Sequence, residues 1–183
     1  MQIATATEEQ VLLVNERDEV LGTMGKLEAH RKGALHRAFS VFLFDDQDRL
    51  LLQRRAAGKY HSAGLWTNTC CSHPRPHEAL EDAARRRLKE EMGIDAPVVH
   101  RFSFIYKADL GNGLFEHELD HVYFGLWNGP ADPHPEEADD WKYVTMAELD
   151  RDLRQHPELF TVWLRACWDQ VRTQPMPPRQ HPL

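Results

Sequence analysis

Cysteine is scarce in this chain: three of 183 residues, Cys70, Cys71 and Cys167, two of them neighbours. Adjacent cysteines are poorly placed for an ordinary disulfide, and an odd count argues against a disulfide scaffold and for a reducing compartment. The pair also lacks C-x₂₋₄-C spacing and has no second pair to join, which sets aside a zinc knuckle built from Cys70, Cys71 and His73. Long apolar runs are missing; none approaches the roughly 20 residues of a membrane span. The opening stretch MQIATATEEQ has neither the basic nor the apolar region of a signal peptide, so cytoplasmic residence is expected. Positive charge is not in excess either. Lys and Arg number 22 against 29 Asp and Glu, a net charge of -7, which argues against nonspecific binding to nucleic acid or to an anionic membrane. An anionic ligand must therefore find a local basic pocket.

With 42% hydrophobic and 28% charged residues, the chain can bury one sizeable core and leaves little room for a second domain. VLLVNERDEVLG reads as two strands around the turn Asn15 to Asp18, and AFSVFLF, DDQD, RLLLQRR repeats that pattern. A loop is expected from Ala56 to Ser72, then a helix over PHEALEDAARRRLKEEMG closed by Gly93. VVHRFSFIYKA and LFEHELDHVYFGLW are strands flanking the turn signal DLGNG, and WKYV is a further strand after an acidic, Pro-containing loop from Asn128 to Asp140. Thr145 and Glu148 have capping-box spacing for a short helix, and PELFTVWLRACWDQVR is the last one. Four prolines predict a disordered tail over residues 173–183, leaving 1–172 as one domain. There is no internal repeat. The order predicts a mixed-sheet α+β or α/β domain with helices packed outside.

Some residues fit poorly with simple packing. On a helical wheel, Ala83, Ala84, Leu88 and Met92 share an arc of roughly 180° with Arg87 and Glu91. Either both charges snorkel to the rim or a polar site lies under the helix. In FEHELDH, Glu116 and Glu118 share one strand face, opposite His117 and Leu119. Their repulsion invites a cation, although a solvated sheet face would also carry them. His30, His36 and His73 lie in loops or strand starts on this reading, and a folded loop would be needed to bring them together. Three histidines and two carboxylates would suit Mn, Mg, Fe or Zn in a six-coordinate mixed N/O site. In WTNTCCSHP, neighbours on an extended segment face opposite ways, so one cysteine fits a buried hydrophobe and the other a reactive thiol. Trp163 and Cys167, four apart, read on their own as one stripe of a packing helix.

Taken together, these stretches resemble type I isopentenyl-diphosphate isomerase, a family built on the Nudix fold. The resemblance runs through GKLEAH, LHRAFSVFLF, LLLQRRA, GLWTNTCCSHP, EALEDAARRRLKEEMGI and FEHELDH to Trp163. Against the Nudix hydrolase box GX₅EX₇REUXEEXGU, Ser72 stands for the first glycine and Arg87 for a metal-binding glutamate. Glu78, Arg86, Leu88, Glu90, Glu91, Gly93 and Ile94 match it. A Nudix-type diphosphate hydrolase is therefore the alternative enzyme, and a noncatalytic metal-stabilised binding module a third reading. The resemblance implies interconversion of isopentenyl and dimethylallyl diphosphate through a tertiary carbocation. It implies Cys71 and Glu118 as the acid–base pair, with Tyr106 relaying the proton and Trp163 facing the cation. His30, His36, His73, Glu116 and Glu118 correspond to ligands of Mn²⁺ or Mg²⁺, with Zn²⁺ a further option. Glu91 corresponds to a residue near a diphosphate-associated Mg²⁺, and Lys26, Arg55, Lys59 and Arg87 to the groups that hold the diphosphate. The implied partner is that small diphosphate alone, with the chain a monomer or weak homodimer.

Overall fold

The computed structural model describes residues 9–179. These form strands β1 (Gln10–Val14), β2 (Val20–Gly25), β3 (His36–Phe44), β4 (Arg49–Arg55), β5 (Trp66–Thr67), β6 (Cys70–Ser72), β7 (Val98–Gly111), β8 (Leu114–Leu126) and β9 (Ala138–Thr145). The helices are α1 (Lys26–Lys32), α2 (Leu80–Met92), α3 (Met146–Gln155) and α4 (Val162–Val171), with a 3₁₀ turn at Pro157–Leu159. Most of MQIATATEEQ and the last four tail residues lie outside the described residues. No described helix is long and apolar enough to cross a membrane.

Strand β3 is apolar on both faces because both are covered. Phe39, Val41 and Leu43 pack with Ala83, Ala84, Leu88 and Met92 of α2, whereas Phe42 and Phe44 pack with Leu164, Cys167, Trp168 and Val171 of α4. The sheet is mixed, as expected: β3 runs parallel to β8 and antiparallel to β1, β4 and β6. The β3–β8 register sets His36 beside Glu118, and the antiparallel β7–β8 register sets Tyr106 beside Glu118. Residues paired across a sheet share a face. That face belongs to α4, and Phe42, Val122 and Phe124 continue it as core.

Several boundaries differ from the sequence reading. His30 lies in the last turn of α1, a seven-residue helix ended by Gly33 at φ 60, and not in a loop. Seven residues make too few turns for an apolar period to emerge. The expected loop from Ala56 to Ser72 contains β5 and β6, too short to alternate visibly; β6 pairs with Phe39, Ser40 and Val41. Helix α2 begins at Leu80 instead of Pro76, since His77 has φ 67, and left-handed backbone cannot continue a right-handed helix. Strand β9 starts at Ala138, inside the expected loop. The last helix is broken: Phe160 is buried and Thr161 N–H donates to the Trp66 carbonyl, pinning the chain to β5 before α4 begins. Thr145 and Glu148 do form a capping box. Among the described residues after α4 there is no helix or strand, Met176 packs on the α4 core, and Arg179 pairs with Asp48 at 3.0 Å.

Candidate active site

At the end of the sheet where β3 begins, five side chains converge. His36 Nε2 lies 3.2 Å from His73 Nε2, and His73 Nε2 lies 2.9 Å from Glu118 Oε1. His30 Nε2 is 3.2 Å from Glu116 Oε2. All five residues are buried. Two of the tautomers follow from the backbone. His30 Nδ1 donates to the Lys26 carbonyl at 2.6 Å and His36 Nδ1 to the Ala34 carbonyl at 2.9 Å. A carbonyl only accepts, so each neutral ring carries its proton on Nδ1 and turns a bare Nε2 lone pair inward. Glu116 Oε2 is buried without a hydrogen-bond partner. Lone pairs and carboxylates gathered this way fit a divalent cation, and donor atoms of His30, His36, His73 and Glu118 lie within 4.8 Å of one another.

The charges of these groups are displaced in opposite senses. Burial and the neighbouring Glu118 raise Glu116 to about 7. Burial alone would raise Glu118 too, but the His36 and His73 rings against its carboxylate hold it well below the usual carboxylate range. Glu118 is thus the ionised member, and the Tyr106 hydroxyl donates to its Oε2 at 2.6 Å. Burial first, then the Glu118 charge, keeps Tyr106 protonated far above its ordinary range. Burial lowers His73 to about 4, leaving it neutral.

Strand β6 separates the two cysteines. Cys70 is fully buried in the α2 core, while Cys71 turns to the cleft that holds Glu118 and Tyr106. Burial pushes the Cys71 thiol up, with Arg55 opposing and Glu91, Glu118 and Asp120 adding to the rise, so it stays protonated. Trp163 of α4 closes the cleft, 3% exposed and with its Nε1 unpartnered. The Arg55 guanidinium lies over its ring at 5.1 Å.

A third set lines the same cleft. Lys26, Arg55, Lys59 and Arg87 all reach the cleft, which turns the inward Arg87 of α2 into part of a basic lining. Each of three of these cations is already paired. Lys26 meets Glu9 at 2.9 Å and Lys59 meets Glu137. Arg87 meets Glu90 and Glu91 at 2.8 Å and Glu137 at 3.1 Å. Glu91 also accepts from Gln53 at 3.0 Å, and it stands apart from the histidine cluster.

Comparison with known proteins identifies the family. Residues 34–164 match the NUDIX domain family. The chain is 58% identical over 164 residues to Isopentenyl-diphosphate Delta-isomerase 2 of Aromatoleum aromaticum, spanning 90% of this chain and 87% of that protein. It is 49% identical over 156 residues to the Isopentenyl-diphosphate Delta-isomerase of Serratia proteamaculans, spanning 85% and 87%. The chain belongs to the isopentenyl-diphosphate Delta-isomerase family. Among solved structures, DR0079 from Deinococcus radiodurans is similar with a TM-score of 0.72 at 21% identity, covering 88% of this chain and 98% of that one. MutT protein from Methanosarcina mazei Go1 follows with a TM-score of 0.59 at 16% identity, covering 76% and 96%. At such identities these two share the fold alone.

The isomerase-family site contains residues that the sequence reading passed over. His61 lies beside His30 and Glu116 as a second donor group, and burial, followed by Arg55, lowers it to about 3. Glu137, inside the acidic loop, binds two of the basic side chains. Neither had a pattern to give it away: His61 sits in an aperiodic loop, and Glu137 is one of several acids in a row. No cysteine joins a donor group among the described residues.

Proposed function

We propose that the protein interconverts isopentenyl and dimethylallyl diphosphate in isoprenoid biosynthesis, acting in the cytoplasm as a monomer or weak homodimer. The observation that carries this reading is a protonated thiol, Cys71, and an ionised carboxylate, Glu118, lining one cleft. Their environments push the two groups in opposite directions, which is how acid and base are told apart. Cys71 gives a proton to the alkene, a tertiary carbocation forms, and Glu118 takes a proton from the neighbouring carbon, with Tyr106 relaying it through its hydrogen bond. Either direction uses the same two groups. Water would capture the cation, so a site closed by Trp163 suits the chemistry. Lys26, Arg55, Lys59 and Arg87 would hold the diphosphate, and Glu91 would face the Mg²⁺ that accompanies it. His30, His36, His73, Glu116 and Glu118 would hold Mn²⁺ or Mg²⁺, with Zn²⁺ compatible with the same donors. The bound ion supplies electrostatic tuning of the acid–base groups.

Incubation with isopentenyl diphosphate in deuterated water tests the reading. Deuterium on the carbon skeleton and formation of dimethylallyl diphosphate are expected. Release of phosphate without deuterium on carbon would return the chain to the hydrolase chemistry that its Arg87 replacement argues against.

Trp163 provides a second test. An indole face against a desolvated cation is worth about 2 kcal/mol or more, which is a factor of about thirty in rate. Phenylalanine keeps a weaker π-face, whereas leucine keeps only bulk. Trp163→Phe is expected to retain much more kcat than Trp163→Leu at similar melting temperature. Equal kcat in the two would reduce Trp163 to core filling.

A further inference from the structure

His61 lies outside the five-residue donor set, in the loop between β4 and β5, yet its side chain is only 8% exposed. We propose that His61 is a sixth protein donor to the ion held by those five residues, so that the bound ion carries no exchangeable water. The inference rests on the metal-site reading above.

Three observations carry it. The first is position: His61 Nε2 is 3.7 Å from Glu116 Oε1, and donor atoms of His30, His61 and Glu116 all lie within 4.8 Å of one another. The second is spacing. Bonds of about 2.1 Å put neighbouring donors of an octahedral ion about 3 Å apart and opposite donors about 4.2 Å apart. His36 to His73 at 3.2 Å, His73 to Glu118 at 2.9 Å and His30 to Glu116 at 3.2 Å sit near the first value, and His61 to Glu116 falls between the two. The third is sharing. Both donor groups contain His30, whose Nδ1 is committed to the Lys26 carbonyl. One remaining lone pair serves one ion, so an ion on His30 is shared by both groups, and closing on it draws His61 and Glu116 toward His36, His73 and Glu118.

The ring is also held in place. It packs against His30 at 5.6 Å, Tyr60 at 4.6 Å and Trp163 at 6.1 Å between centroids, and its backbone carbonyl accepts from Arg55 at 3.3 Å. Five single donors would leave one octahedral position for water. His61 fills it from the cleft side, and an ion without water has no hydroxide to offer a carbocation or a diphosphate.

The experiment is Mn²⁺ binding to the ion-free protein, read by chelator competition and by water-proton relaxation. His61→Phe keeps an aromatic ring against Tyr60 and Trp163 but removes the donor; His61→Ala is made alongside it. Wild type is expected to bind one Mn²⁺ with no fast-exchanging inner water. Both variants, folded with ion-free melting temperatures near wild type, are expected to bind about tenfold more weakly or worse and to gain one exchanging water. Unchanged affinity and relaxation in His61→Phe would overturn the inference alone. A wild type that binds no Mn²⁺ would overturn the five-residue site and the inference with it.

Discussion

Cys71→Ala is expected to lower kcat by about 10³-fold or more, because alkene protonation has no substitute donor at that position. Cys70→Ala, one residue away, is expected to leave kcat within about twofold and to cost roughly 1 kcal/mol of stability through the small void it leaves. The contrast follows from β6. Its pairing with Phe39, Ser40 and Val41 fixes an extended backbone, so Cys70 enters the α2 core and Cys71 faces Glu118 and Tyr106. Steady-state kinetics with melting curves on both variants provides the check. Equal losses of kcat in two folded proteins would mean that the thiols are not distinguished by their faces, and the assignment would fail.

Removing the divalent ion is expected to abolish turnover, with added Mn²⁺ or Mg²⁺ restoring it; full activity in a verified metal-free sample would refute the site. The ion also has a proton linkage. Glu116, raised to about 7 by burial and by Glu118, is ionised above that pH and protonated below it. A metal ligand must be deprotonated, so binding below about pH 7 displaces the Glu116 proton, and His30, raised against the opposing effect of burial by the Glu116 it faces, adds its own. The dissociation constant should therefore rise steadily as the pH falls below 7. A constant affinity from pH 5.5 to 8 would exclude Glu116 as a ligand.

The site was legible where strand alternation governs it. Glu116 and Glu118 on one face, and the opposite facing of Cys70 and Cys71, follow from a period of two, and both facings are present in the fold. Arg87 and Glu91 could be seen to face inward from the period of α2, yet what awaited them could not. Their partners, Gln53 and Glu137, lie 38 and 50 residues away. Convergence of the three histidines depended on α1, whose seven residues give too short a pattern to read, and on the parallel pairing of β3 with β8. No local signal encodes such a register. His61 was invisible for the same reason: an aperiodic loop acquires its meaning only from what folds around it.

The pairing of Lys26 with Glu9, Lys59 with Glu137, and Arg87 with Glu90, Glu91 and Glu137 makes the basic lining of the cleft a nearly compensated ionic lattice. A lone small anion, chloride or a single phosphate, would have to separate cations from carboxylates already at contact distance, an exchange with little net electrostatic gain. A diphosphate that arrives with its own divalent cation would exchange both partners at once, its phosphate oxygens meeting the cationic side chains and its cation the released carboxylates. Such a lining would discriminate by charge pattern and not by charge. Millimolar inorganic phosphate should scarcely compete with substrate at this surface, whereas a magnesium–pyrophosphate complex should.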